Sequence, residues 1–591
     1  MTSRSLLRLA VAGVAAATGL TLAALPAAAA PTASAKPQPI PIRLLTVNDF
    51  HGNLETPTGS SGRIVNETGV TVQSAGGAAY LATAIKQNTI KGRTDVVAAG
   101  DLIGASPLIS AAFHDEPTVQ VLGALGLDVS SVGNHEFDEG LTELRRLQKG
   151  GCHPTDGCSP AGKWKGAKYD YIGANVVDDD GKHALPPIAI RVVNGVKIGY
   201  IGLVTKTTPS IVTPASIAGL TFQDEVEAGN RAAAWLKRRG VNAMVALVHE
   251  GDSITANQSP DACPLTTGVG RTIATNLSAD VDLVVMGHSH QAYVCTTTDP
   301  AGNTRYFTQG SSFGRVLTQI DFQVDKKTRD VIRSSVTADN KVVAVEGPAN
   351  AGLDITKYAA DPTIDSLVSY WKTAVASKAN APVGKITADI TNVAPSGGSG
   401  ETALGDVIAD AQLAAAKKDG GNADIALMNP GGVRTLLTYA GSPAGEGDGV
   451  VTYGEAFAVQ PFNNLLQAVT LTGAELKTVL EQQFTGGPNA QAFTKILQPS
   501  SNLTYSYNAS AAWGSRISDL KIDGAAVTDT QSVRVAANNF LVSGGDAFTE
   551  FTKGTDLWTW NGGFDVDAFT AYLTANSPIA PPALTRITKV G

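Results

Sequence analysis

Five apolar runs in the first half of this chain have the length of strands, and each ends on a side chain that can bind a metal. Ile42–Val47 leads into Asn48–Asp49–Phe50–His51–Gly52, Val96–Ala99 into Gly100–Asp101, and Val129–Val132 into Gly133–Asn134–His135–Glu136. Val241–Val248 leads into His249–Glu250, and Val281–Met286 into Gly287–His288–Ser289–His290. Ligands of open α/β sheets bind beyond the carboxyl ends of strands, so this pattern predicts several strand ends gathered at one rim. The chain has eight histidines, and five of them stand at these ends, which a scatter of structural histidines does not explain. His114, His153 and His183 lie in polar, loop-like contexts and are read as ordinary surface residues.

Imidazole with carboxylate is a donor set for Zn, Mn, Co or Fe rather than Ca. Two such ions, about 3.5–4 Å apart, can share one bridging carboxylate. Glycines before Asp101, Asn134 and His288 allow the tight turns that bring the side chains together.

Between the strand-like runs lie amphipathic stretches, Gly77–Gln87 and Val226–Arg239, which makes the first half an α/β layout with strands buried between helices. Gly347–Pro348 and Asp361–Pro362 punctuate a break, and Ile364–Ser377 reads as a helix. Residues 40–345 are therefore taken as one domain, 346–381 as a helical linker and hinge, and 382–585 as a second α/β domain. The second has strand candidates Ala423–Met428, Leu465–Leu471 and Val533–Ala537, and a helix Ala474–Phe484 that Thr472 could cap.

With 591 residues, 43% hydrophobic and 17% charged, the composition is that of a globular protein. The net charge is −8, and Arg4 and Arg8 are the only charged residues of the first thirty, so the body is more acidic still. That excludes the basic footprint of a duplex nucleic-acid or anionic-membrane binder. Arg4 and Arg8, the apolar Leu9–Leu25 and the run Ala27–Ala30 read as a signal peptide, with a short leader to residue 36 and cleavage between Ala29 and Lys36. An uncleaved anchor is the weaker reading. The end of the chain, Thr588–Gly591, carries no hydrophobic tail or sorting motif, and a secreted, unanchored protein is expected. Four cysteines in an exported chain suggest two disulfides. Of three connectivities, Cys152–Cys158 and Cys263–Cys295 are favoured because each pair flanks a polar segment; a zinc site lacks the paired CxxC spacing.

Three segments of the second half suit a nucleotide. Asn429–Pro430–Gly431–Gly432–Val433–Arg434 can bring backbone N–H groups and a guanidinium to an anion. Gln460–Pro461–Phe462–Asn463–Asn464 and Asn538–Asn539–Phe540 through Asp546 each place a phenylalanine beside a strand, where it either presents a ring face to a base or packs in the core.

The series TVNDFHG, GDLIGASP, GNHEFD, VHEG and GHSH resembles the calcineurin-like metallophosphoesterases, and with the later segments the secreted bacterial 5′-nucleotidase and UDP-sugar hydrolase family. The resemblance spans roughly residues 40–575. It implies a four-layer β-sandwich flanked by helices, a helical linker and a C-terminal α/β substrate-binding domain. It further implies that Asp49, His51 and His290 hold one divalent ion, that Asn134, His249 and His288 hold a second, and that Asp101 bridges them. His135 would stabilise the transferring phosphoryl group or protonate the leaving oxygen, oriented by Asp138, while an activated water attacks phosphorus in line. Phe462 and Phe540 would stack on the base, Asn429 and Arg434 contact phosphate and ribose, and Asn464 and Asp546 fix base or ribose. Domain closure about the linker would complete the site.

One departure stands out: family members carry arginines where this chain reads Ser396–Gly397–Gly398–Ser399–Gly400–Glu401–Thr402. The expected activity is nucleotide hydrolysis of 5′-nucleotidase type. UDP-sugars, or 2′,3′-cyclic nucleotides followed by 3′-nucleotide cleavage, are the alternatives. A non-catalytic nucleotide-binding surface protein is a further reading, disfavoured by the complete ligand set. The sequence leaves the oligomeric state open.

Overall fold

A computed structural model describes residues 38–57, 59–254, 259–441, 445–462, 464–491 and 493–590. The expected signal peptide lies outside the described residues. Among those described, no helix is long and apolar enough to cross a membrane.

The first module is built on two six-stranded sheets. One has the order Thr337–Val342, Val316–Val324, Ile40–Val47, Thr94–Ala99, Val129–Ser131, Asp170–Ile172. The other has the order Ala292–Thr298, Thr304–Gly310, Leu283–Met286, Ala243–His249, Val196–Val204, Ile188–Val193. Strand alternation divides the core. In Ile40–Val47, Leu44 points into a cluster with Val97, Tyr200, Val245, Leu283 and Phe322 between the sheets, while Leu45 joins an outer cluster with Leu81, Val119 and Trp371 under the helices. The second sheet shares the inner cluster and packs Ile201, Met244 and Val248 outward against Leu236 and Ile273 of the helices Glu225–Arg238 and Val269–Asn276. The result is helix, sheet, sheet, helix: the expected four-layer sandwich. Burial on both faces is why these strands read as unbroken apolar runs.

The strands that carry the site are parallel within each sheet. Leu45 pairs with Val96 and Val97 with Val129 in the first; Val245 pairs with Tyr200 and Leu283 in the second. Their carboxyl ends therefore emerge at a common rim.

The helix expected at Ile364–Ser377 is present as Pro362–Ala379, and Asp361–Pro362 forms its start. The Asp361 carboxylate accepts from the N–H groups of Thr363 and Ile364, and Pro362 occupies the first helical position, where no N–H is needed. The helix Pro362–Ala379 lies against the first module, burying Trp371 to 1% exposure in a cluster that Phe457 of the second module also joins.

The second module has a five-stranded sheet ordered Gln498–Pro499, Ile425–Met428, Ser532–Asn538, Leu465–Thr472, Thr555–Phe564. Ala426 pairs with Ala536 in parallel, and Leu466 with Asn538 antiparallel. The ends of Ile425–Met428 and Ser532–Asn538 and the start of Leu465–Thr472 thus share one edge, where Asn429, Asn538–Phe540, Phe462 and Asn464 lie. Thr472 caps the next helix, Gly473–Glu481, in a reciprocal capping box with Glu475. Both favoured disulfides, Cys152–Cys158 and Cys263–Cys295, are formed.

Candidate active site

At the rim of the sandwich the strand-end side chains converge. Asp49 Oδ1 lies 3.5 Å from His290 Nε2 and 4.0 Å from His51 Nε2, and these two nitrogens are 3.1 Å apart. Asp101 stands between two groups, its Oδ2 3.6 Å from His51 Nε2 and 3.0 Å from His249 Nε2. His249 Nε2 is 3.1 Å from Asn134 Oδ1, and ligand atoms of Asp101, His249 and His288 lie within 4.8 Å of one another. All seven residues expected as ligands are thus in two groups that share Asp101.

The backbone is bent to achieve this. Asp49, His51, Asp101, His288 and His290 have φ of 49°, 47°, 49°, 73° and 58°, left-handed values that cost roughly 1–3 kcal/mol each for such residues. Gly133 is required for space: a Cβ there would stand 2.2 Å from Asp101 Oδ1. Glu136, which the sequence reading passed over, ties two of the turns together. Its carboxylate accepts from the N–H groups of Asp101, Leu102 and Gly133 at 2.9, 2.9 and 2.5 Å. Its position inside the GNHEFD series was the available signal.

The donor set fits cations. His51 Nδ1 faces the carbonyl of Gly104 at 2.9 Å and His249 Nδ1 that of Ala99 at 2.8 Å, so each ring donates its Nδ1 proton outward and turns an Nε2 lone pair inward. Those lone pairs meet carboxylate and amide oxygens, an arrangement that demands a positive charge at the centre. Burial, with the neighbouring charge of His135, holds His51 down to about 3, and burial likewise keeps His288 and His290 below the usual imidazole range. At His249 burial opposes charge, but the Asp101 carboxylate outweighs it and lifts the ring to about 10. A cation at that place would replace this proton.

His135 sits beside the groups. Its Nδ1 is 2.7 Å from Asp138 Oδ2, and its backbone N–H donates to Asp101 Oδ1 at 2.9 Å. Burial opposes its charge, yet Asp138 and then Asp101 push the imidazole up to about 9. The ring stacks on Phe462 across the cleft, with centroids 5.9 Å apart and planes at 20°. Arg434 lies over the same phenylalanine at 5.5 Å.

A cavity of 370 Å³ joins the two modules. Asn134, His135, Asp138 and His288 line one side; Asn429, Arg434, Phe462, Asn464, Phe540 and Asp546 line the other. The structure therefore brings every expected substrate residue to one space. Asn429 Nδ2 donates to Asp546 Oδ2 at 3.0 Å and Asn464 Nδ2 to Asp565 Oδ2 at 3.2 Å, which fixes the amides. Ile211–Thr213 and Phe493 also line the cavity, and Lys495 grips Asp546 at 2.5 Å. Sequence reasoning missed these; the Gly/Pro-containing stretch before Phe493 carries no motif that points to the cavity. Among the described lining residues Arg434 is the only arginine or lysine. The segment lacking arginines is structural here: Thr402 caps the helix Ala403–Lys418, and Glu401 accepts from the N–H groups of Arg586 and Ile587.

Comparison with known proteins matches residues 42–292 to the calcineurin-like phosphoesterase family and residues 382–553 to the 5′-nucleotidase C-terminal domain. The chain belongs to the calcineurin-like phosphoesterases that carry a 5′-nucleotidase C-terminal domain. Within this family it is 32% identical over 550 residues to cell wall protein Lmo0130 of Listeria monocytogenes, covering 88% of this chain and 66% of that one. It is 29% identical to the endonuclease YhcR of Bacillus subtilis, covering 85% and 37%. The chain thus spans about two thirds and about one third of these relatives' lengths. A 5′-nucleotidase precursor from Thermus thermophilus shares the two-domain fold, with a TM-score of 0.70 and 23% identity over 93% of this chain and 99% of that one.

Proposed function

We propose that this protein is a two-metal phosphoester hydrolase of 5′-nucleotidase type, releasing nucleoside and phosphate from extracellular nucleotides. The observation that carries this reading is the single cavity lined by His135, Asn134 and His288 on one side and by Phe462, Phe540 and Asn429 on the other. Asp49, His51 and His290 would hold one divalent ion, Asn134, His249 and His288 the other, and Asp101 both. Bound there, the ions supply a Lewis acid for the phosphoryl oxygens and acidify a water. His135, kept as imidazolium by Asp138, donates a proton or hydrogen bond to the phosphoryl or leaving oxygen. Arg434 is the remaining cation for phosphate. Phe462 and Phe540 offer ring faces to the base, and the Asn429–Asp546 pair offers polar atoms to ribose. Secretion is supported by the signal-like residues 1–36, by both disulfides and by the surface location named for the Listeria relative.

The test is hydrolysis of AMP, 3′-AMP, 2′,3′-cyclic AMP, ATP and UDP-glucose with Zn, Mn, Co and Fe supplied in turn, read as released phosphate for the monoesters and ATP, as 3′-AMP for the cyclic nucleotide and as UMP with glucose 1-phosphate for UDP-glucose. Fastest release from AMP supports the reading. Preference for UDP-glucose or the cyclic nucleotide selects an alternative ester, and no release from any compound with any metal contradicts hydrolysis.

A further inference from the structure

A second cluster of imidazoles and carboxylates lies outside the rim. One ring nitrogen each of His114 and His153 and a carboxylate oxygen of Glu139 lie within 4.8 Å of one another. His114 and His153, read from the sequence as ordinary residues of polar loops, thus stand side by side. Three separate pieces of chain build the cluster. His114 stands in a turn before the helix Glu116–Leu125, with a left-handed φ of 51°. Glu139 precedes the helix Gly140–Lys149 and directly follows Asp138. His153 and Asp156 belong to the loop closed by the Cys152–Cys158 disulfide, where His153 and Gly157 exchange backbone hydrogen bonds of 2.9 and 3.0 Å. The loop is therefore a cross-linked hairpin, and its side chains are pre-positioned.

The ligand atoms lie within 4.8 Å of one another, close enough for one cation to draw them together. His114 Nδ1 is 2.7 Å from Glu139 Oε2, and the His114 and His153 rings stack with centroids 3.7 Å apart and planes at 11°. Neighbouring ligand atoms of a tetrahedral zinc shell are about 3.3–3.5 Å apart, given bonds of about 2.0–2.2 Å. Asp156 Oδ2 meets the opposite nitrogen of His114, Nε2, at 2.9 Å. A carboxylate on the outer nitrogen of a histidine is the usual support of a metal-ligating ring. The two carboxylates already select for positive charge: burial opposes a proton on His114, but Glu139 and then Asp156 raise the ring to about 9.

We propose that His114, His153 and Glu139 bind an additional divalent cation of the zinc, nickel or copper class, with Asp156 as the outer carboxylate that orients His114. Two imidazoles favour those borderline metals over calcium or magnesium. Binding requires the stacked rings to splay so that their lone pairs converge. The histidine side chains are 21% and 17% exposed and the carboxylates 43% and 63%, so the cluster has room to do so. The site lies on a cavity of 660 Å³ that Asp138, His135 and Phe462 also line. An ion there pins the disulfide loop to the helix start beside Asp138, on the approach to the cleft.

The test uses the full-length protein, stripped with chelator and equilibrated with micromolar zinc. Metal analysis should find three equivalents in the wild type and two in the H114A/H153A double variant. Diffraction at the zinc edge should add a peak between His114 and His153 to those at the rim. The two readouts are independent of activity, and the wild-type peak decides the matter should the double variant fail to fold. Two equivalents in the wild type, three in the double variant, or no anomalous peak at His114 overturns the proposal.

Discussion

His135 is gripped by Asp138 on one edge and faces Phe462 of the other module, and one of its ring nitrogens also lies within 4.8 Å of ligand atoms of His51 and Asp101. His135→Ala should lower kcat about 10²–10⁴-fold, the usual worth of a positioned acid, with rim metal content unchanged by elemental analysis. Loss of metal would instead make His135 a ligand. Asp406 behaves differently. It is fully buried, and burial, with Glu401 and Asp410 nearby, pushes its carboxyl up to about 9 despite Arg586. Its Oδ2 lies 3.4 Å from Arg586 Nε, an ion pair that does not offset the burial. A carboxyl raised on folding contributes stability that is full below its unfolded value near 4 and is lost as pH rises through about 9. Asp406→Asn removes that dependence, so urea unfolding should show the variant gaining on the wild type between pH 5 and pH 8. Parallel curves would contradict the assignment. The rim residues were legible because each follows a strand-length apolar run. The pairing of His114 with His153 was not, since a disulfide loop and two helix termini create it and no local spacing encodes it.

Elements carry the site only because both faces of each strand are buried. That double burial wrote the strands into the sequence, although their limits shifted: Val241–Val248 became Ala243–His249, which makes His249 the last strand residue. The helix Pro362–Ala379 was legible in Ile364–Ser377, but the side it packs against was not. Asp–Pro marks a break and a helix start equally well, and tertiary packing decides. Because Trp371 is buried with Phe113 and donates from its indole to Gln120 at 2.8 Å, the helix belongs energetically to the first module. Trp371→Ala should cost about 3–5 kcal/mol in unfolding free energy, measured by denaturant titration. A change under 1 kcal/mol would restore the picture of a loosely held linker.

For the whole molecule, the decisive feature is that metal-type ligands and aromatic rings from different modules border one cavity. The sequence named both walls but not their meeting, which depends on how the modules pack and on loops such as Ile211–Thr213 that carry no motif. Phe462→Ala and Phe540→Ala should each raise KM for a nucleotide about 5- to 150-fold, equivalent to about 1–3 kcal/mol of stacking, while leaving hydrolysis of a small aryl phosphate unchanged. Equal losses on both substrates would assign the rings to structure. The most direct measurement is a crystal structure of the metal-loaded protein with a non-hydrolysable analogue of AMP. The account predicts one nucleotide spanning the cleft, its phosphate at Asp101 and His135 and its base against Phe462 and Phe540. A nucleotide bound with its phosphate away from the rim, or its base away from both rings, would contradict it.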